Sequence, residues 1–240
     1  AFVRLPRSQC LNTNRLALAR NEFVLYYQPR VNMRTGVVVG AEALIRWRHP
    51  ERGLLLPAEF LPIVEDRPLG IALGEWVIKT ALAQMADWQA QGIEIAVSVN
   101  IAARQLQQSD FVSRLQALLA AYPEVDPTRF ELEVLETSLL EDMAHASEVI
   151  NGCRALGVRF ALDDFGTGYS SLTYLKRLPA DVLKIDRSFV RDMLTDPDDL
   201  AIVEGVLGLS AAFGRETVAE GVESVAHGEM LIPMGCELAQ

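Results

Sequence analysis

Acidic residues recur along this 240-residue chain at the ends of short apolar runs: Glu42, Glu133, Asp163 with Asp164, and Glu220. Asn100, Lys184 and Gln240 hold comparable positions in other such runs. A single strand-end carboxylate is more often a solvated cap than a ligand. Convergence changes that balance, because five carboxylates meeting at one place repel one another unless cations hold them. The three histidines, His49, His145 and His227, show no i, i+4 pairing, and Cys10, Cys153 and Cys236 lie far apart with no paired spacing. A His- or Cys-built metal centre therefore has no material here, and any metal site is built from oxygen ligands, which select Mg²⁺ or Mn²⁺ over zinc. Two such ions about 3.5–4 Å apart are a recurring device for phosphodiester hydrolysis, acting on the attacking water and stabilising attacking and leaving oxygens.

For these side chains to meet, the elements must bring strand ends to one face. Hydrophobic period and punctuation predict strands near 23–28, 37–45, 93–100, 130–136, 158–163, 181–185, 216–220 and 237–240. Helical patterns at 71–91, 111–121, 145–156, 199–213 and 222–234 separate most of them. Strand–helix alternation means a parallel sheet covered by helices, here an α/β, TIM-like (β/α)8 barrel whose catalytic face is formed by the C-terminal strand ends. The first two strands depart from that plan. Residues 31–36 are too few for a crossover helix and contain Arg34-Thr35-Gly36, so a hairpin and an antiparallel first strand are expected. A doubly wound open sheet lacks support, since no GxGxxG or GxxxxGK[ST] turn follows an early strand. On the second strand, Glu42, Leu44 and Arg46 share one face by the two-residue period.

Composition narrows the function further. The formal charge of −10 disfavours a nucleic-acid polymer as partner, because such binding rests on Lys and Arg neutralising phosphates. Apolar stretches are broken too often for a membrane span or a secretory signal, and unpaired cysteines suit a cytoplasmic setting, with no membrane contact by this domain. Residues 1–20, with Leu11, Leu16 and Leu18, read as an amphipathic lead-in from an upstream module, and 21–240 as one domain. The last strand is short and no helix follows it, so the C-terminal end is expected to be incomplete.

At these residues the chain resembles the EAL-domain cyclic di-GMP phosphodiesterases. The resemblance is carried by Tyr27-Gln28-Pro29, Glu42-Ala43-Leu44-Ile45-Arg46-Trp47, Ser98-Val99-Asn100-Ile101 through Leu106, Asp163-Asp164-Phe165-Gly166-Thr167-Gly168 through Leu172, Leu183-Lys184-Ile185-Asp186 and Ala219-Glu220-Gly221-Val222-Glu223. Three letters alone would carry nothing; six ordered motifs carry the family. The resemblance implies metal-dependent hydrolysis of cyclic di-GMP to linear pGpG. It implies a first metal held by Glu42, Asn100, Glu133 and Asp163, and a second by Asp163, Asp164 and Glu220. Lys184 would act on the attacking water beside Gln240, while Gln28 and Arg46 would contact substrate. Glu136 would tether the loop 166–172. The family's usual Thr between the two glutamates is Leu135 here, a departure at a position that holds no metal. Ca²⁺ inhibition, a homodimer through the helices after the fifth and sixth predicted strands, and an upstream sensor or cyclase module belong to the same implication.

The alternative is a catalytically silent cyclic di-GMP receptor. Such members lack one or more of the acids, the lysine or the loop, and all are present here. Asp186 and Glu223 read equally well as structural hydrogen-bonding residues and as catalytic ones and are left out of the site, and Trp47, Trp76 and Trp88 read as packing residues. Glu65 and Asp66 could approach a guanine but read better as a solvated helix end.

Overall fold

The computed structural model describes residues 16–64, 67–139, 142–167 and 172–240. Cys10, Leu11, Glu65 and Asp66 lie outside them, and of the lead-in only 16–20 is described, with a helical turn at 16–19 in which Ala17 is fully buried.

Among the described residues nine strands form: β1 (Phe23–Asn32), β2 (Val37–His49), β3 (Gly53–Leu55), β4 (Ala96–Asn100), β5 (Phe130–Leu135), β6 (Arg159–Phe165), β7 (Val182–Ile185), β8 (Glu216–Ala219) and β9 (Leu238–Ala239). Eight of them close a ring in the order β1, β2, β4, β5, β6, β7, β8, β9 and back to β1. The expected hairpin is present: β1 runs antiparallel to both β2 and β9, and the remaining ring pairs are parallel. Closure depends on two residues, since Leu238 and Ala239 pair with Val218 and Ala219 on one side and with Asn32 and Val31 on the other. β3 was not expected from the sequence. Three residues carry no readable period, and it pairs only with the outer end of β2, Trp47 opposite Leu55.

The long helices follow the expected patterns. Pro68–Ala90 begins before the apolar period does, because Arg67 is extended and Pro68 can occupy the first helical position without losing a hydrogen bond. Asp142, Asp196 and Ser224 cap Met143–Ala155, Pro197–Ala212 and Val225–Leu231 by accepting from backbone N–H groups two or three residues on. Pro57–Val64 is the apolar helix expected ahead of Glu65 and Asp66, whereas Ala103–Leu106, Leu172–Arg177 and Arg187–Asp192 are helices of six residues or fewer that sequence periodicity did not reveal.

Both faces of the strands are buried, for different reasons. Outward residues such as Phe130, Leu132, Phe160, Leu162 and Leu183 are fully buried in the main apolar core, each contributing about 1.5–3 kcal/mol of transfer free energy. Inward residues form three layers by the two-residue period. At the N-terminal end of the barrel sit Arg30, Glu131, Arg159 and Glu216, joined by Arg30–Glu131 at 2.8 Å and Arg159–Glu216 at 2.5 Å. A small apolar layer follows, Ala161, Val182 and Val218 with Leu238. Two residues further along the same strands come Asp163, Lys184, Glu220 and Gln240. The apolar layer separates the acidic end from the ionic plug. The expected tryptophan packing is also found: Trp47 and Trp76 sit 5.5 and 6.0 Å from Phe23, and Trp88 sits 4.8 Å from Tyr27.

Candidate active site

Lys184 organises the acidic end. It is fully buried, and its Nζ lies 2.6 Å from Glu220, 2.7 Å from Glu133, 3.2 Å from Glu42 and 3.3 Å from Asp163. Asn100 Nδ2 donates to Glu42 Oε1 at 2.5 Å, and the Gln240 side-chain amide donates to Glu42 Oε2. Gln240 is itself held from both sides of its backbone: its N–H donates to Ala219 at 2.9 Å and its carbonyl accepts from Gly221 at 2.8 Å. Thus Glu42, Asn100, Glu133, Asp163, Lys184, Glu220 and Gln240 meet at one point.

Asp164 reaches the same place by a different route. Consecutive strand residues point to opposite faces, so a regular β6 would turn Asp164 away. The β6–β7 register instead shifts between Leu162 and Phe165, and Asp164 adopts φ 53°. This bulge spends one extra residue and a left-handed backbone, a conformation costly for non-glycine side chains and concentrated at functional sites. Asp163, Asp164 and Glu220 consequently present oxygens within 4.8 Å of one another.

One ammonium cannot neutralise five carboxylates. Burial alone would lower the Lys184 pKa, but Glu133, Glu42, Asp163 and Glu220 outweigh it and hold the group well above its usual value. Burial pushes Glu133 well above the carboxylate range, and Glu42, Asp163 and Glu131 add to the push that Lys184 opposes. Burial, the Asp186 hydrogen bond and then Asp163 raise Asp164 to about 6. Burial raises Glu220 to about 7, Lys184 opposing and Asp163 adding. Only Glu42 moves down: burial pushes it up, but Lys184 and the hydrogen bonds from Gln240 and Asn100 prevail. Without further positive charge, the excess acids retain protons. Glu133 Oε1 is buried with no donor among the described residues. A buried open lone pair in an all-oxygen cluster with surplus negative charge fits a hard divalent cation.

The remaining predicted residues lie around this cluster. Glu136 is buried, and its Oε2 accepts from the Gly166 N–H at 3.2 Å, tying the start of the loop 166–172 to the end of β5. Gln28 is exposed on β1 opposite Glu42 in register, and Arg46 lies further along β2, donating to the Ile45 carbonyl at 2.9 Å and covering Tyr26 at 5.8 Å. Neither is drawn into the cluster. Beside Asn100 opens a cavity of about 450 Å³ walled by Leu44, Leu61, Leu73, Ile101 and Leu135. Asp186, left outside the predicted site, caps Arg187–Asp192 by accepting from the Ser188 N–H at 2.8 Å. It also hydrogen-bonds Asp164, a role that its i+2 spacing from Lys184 could have signalled.

Fold and site together define a closed α/β barrel with an oxygen-rich acidic mouth. A family model described as the EAL domain matches residues 12–240, and the chain belongs to that family. It is 41% identical over 233 residues to the bifunctional diguanylate cyclase/cyclic di-GMP phosphodiesterase MucR of Pseudomonas aeruginosa, covering 97% of this chain and 34% of MucR. It is 40% identical over 227 residues to the cyclic di-GMP phosphodiesterase PdeR of Escherichia coli, covering 94% of this chain and 34% of PdeR. The chain thus spans about a third of the length of these relatives. A solved structure of the MucR phosphodiesterase in complex with c-di-GMP superposes with a TM-score of 0.91 at 41% identity, covering 97% of this chain and 94% of that one. No described helix is long and apolar enough to cross a membrane.

Proposed function

We propose that this domain hydrolyses cyclic di-GMP to linear pGpG with two Mg²⁺ or Mn²⁺ ions at the acidic mouth. The single observation that carries the reading is Lys184 held among Glu42, Glu133, Asp163 and Glu220. Glu42, Asn100, Glu133 and Asp163 would hold one ion, and Asp163, Asp164 and Glu220 the other. The ions, when bound, supply Lewis acidity toward the phosphoryl oxygens and lower the pKa of water. Lys184, an ammonium with Gln240 beside it on Glu42, orients the attacking water and stabilises the charge that develops as that water's proton passes to a carboxylate of the mouth. Water oxygen bonds to phosphorus, the bond from phosphorus to the ribose 3′ oxygen breaks, and the leaving oxygen takes a proton, giving a 5′-phosphate and a 3′-hydroxyl. Gln28 and Arg46 would contact substrate, Arg46 through a phosphate oxygen. The apolar cavity beside Asn100 offers a wall for one guanine.

We further place this domain in the cytoplasm behind an upstream sensor or cyclase module, a setting that the free, buried Cys153 and Cys236 suit. The test is incubation with cyclic di-GMP and Mg²⁺, resolving pGpG by chromatography. Turnover lost on chelation, restored by Mg²⁺ or Mn²⁺ and suppressed by Ca²⁺ supports the reading. Binding without turnover in Mg²⁺ would instead make the domain a receptor, and unchanged turnover after exhaustive chelation would remove the two-metal assignment.

A further inference from the structure

The opposite end of the barrel carries a second polar concavity, of about 490 Å³, built on the loops that lead from helices into β6, β7 and β8. Four cationic residues line it, Arg154, Arg159, Lys176 and Arg215, against the carboxylates of Asp181 and Glu216. That is a local surplus of positive charge on a chain whose formal charge is −10. The two carboxylates are already engaged: Asp181 pairs with Arg154 at 2.9 Å, and Glu216 with Arg159 at 2.5 Å. Lys176 is exposed and has no carboxylate partner among the described residues. Arg215 is fixed by donating through Nη2 to the carbonyls of Leu175 and Leu178, the latter at 2.6 Å, and its buried Nη1 has no acceptor among the described residues. Phe213, a further lining residue, keeps 38% of its surface exposed beside this cluster, with the Arg215 guanidinium 5.7 Å from its ring centre.

An immobilised guanidinium, a free ammonium and an exposed aromatic ring beside one concavity are the elements that recognise a phosphate joined to a base. Cationic donors take the phosphate oxygens, and the ring stacks on the base whatever its identity. The volume falls within the range of small-molecule sites. We propose that this concavity is a binding site for a nucleoside monophosphate, with Lys176 and Arg215 on the phosphate and Phe213 beneath the base. It stands roughly 13 Å from the acidic mouth along β6, four residues at about 3.3 Å each, and it does not depend on how that mouth is read.

Guanosine 5′-monophosphate is a suitable probe, titrated calorimetrically against the protein in EDTA and again in Mg²⁺. In EDTA the mouth holds no metal ion to take a phosphate, so binding under that condition reports the cationic site. Binding in both conditions is expected. Lys176→Glu should weaken it about tenfold or more, and Phe213→Ala should weaken the nucleotide about five- to fiftyfold while leaving inorganic phosphate binding unchanged. Both side chains are exposed, and an unchanged Tm verifies that each variant folds. Binding only in Mg²⁺, binding insensitive to Lys176→Glu, or no binding at millimolar nucleotide in EDTA would overturn the site. Equal affinity for phosphate and nucleotide, unaffected by Phe213→Ala, would overturn the nucleotide as its ligand.

Discussion

Glu42 and Lys184 touch, yet the geometry assigns them different work. Glu42 accepts from Asn100, Gln240 and Lys184 and is the acid most firmly held in its charged form. Lys184 is the cation at the centre of the acids. Glu42→Ala should therefore abolish turnover together with metal affinity. Lys184→Ala should leave metal affinity in place or raise it, by removing a competing charge, while lowering kcat by about 10²–10⁴-fold, the range for a lost acid–base group. Calorimetry with Mn²⁺ alongside single-turnover kinetics separates the two, and near-native kcat in Lys184→Ala would remove the residue from the mechanism. A pH dependence follows from the same cluster. Asp164 at about 6 and Glu220 at about 7 hold protons below those values, and a protonated carboxyl is a poor ligand. Metal affinity of the metal-free protein should rise as pH increases from about 5.5 to 8, with proton release on binding at the lower end. Affinity flat over that range would contradict the assignment of these two acids.

At the level of elements, the site depends on how strands end. The β6 bulge turns Asp164 into the mouth, and Gly221 turns the chain sharply after β8, just beyond Glu220. Gly221 has φ 72°, and a Cβ there would stand 2.8 Å from the Arg187 Cβ. Gly36, in the β1–β2 hairpin, has φ 70° but nothing within 4 Å of the same position. Gly36→Ala should then show only the left-handed backbone cost of about 1 kcal/mol, and Gly221→Ala that cost plus a steric term, about 2–4 kcal/mol together. Thermal or urea unfolding measures both; equal losses would show that the Arg187 contact yields freely.

At the level of the whole molecule, the tie from Glu136 to Gly166 links the end of β5 to the chain leaving β6, the helix Leu172–Arg177 comes between β6 and β7, and Arg187–Asp192 comes after β7. We propose that a homodimer formed on the helices after β6 and β7 acts on the metal site through this connection. Specific activity should rise with protein concentration across the dimer dissociation range, and Glu136→Ala should flatten that rise without dissociating the dimer. Analytical ultracentrifugation run beside the assay decides it, because a monomer with full, concentration-independent activity would exclude the coupling.

The sequence alone determined the strand order, the antiparallel first strand and the residues of the acidic mouth, since period and strand-end position are local properties that survive without coordinates. The parallel run of β2 and β4 to β9 places their C-terminal ends on one face, so Glu42, Glu133, Asp163, Lys184 and Glu220 could be named as neighbours although 178 positions separate the first from the last, 220 minus 42. Short elements escaped because three to six residues hold too little period to read: β3, the helix Ala103–Leu106 and the helix Arg187–Asp192 are defined by what they pack against. The bulge that lets two successive aspartates face the same way, the second role of Asp186, the two-residue closure at β9 and the cationic concavity at the far end belong to tertiary structure. Each arises where segments remote in sequence meet, and there the energy of the contact, rather than the local preference of the chain, decides the conformation.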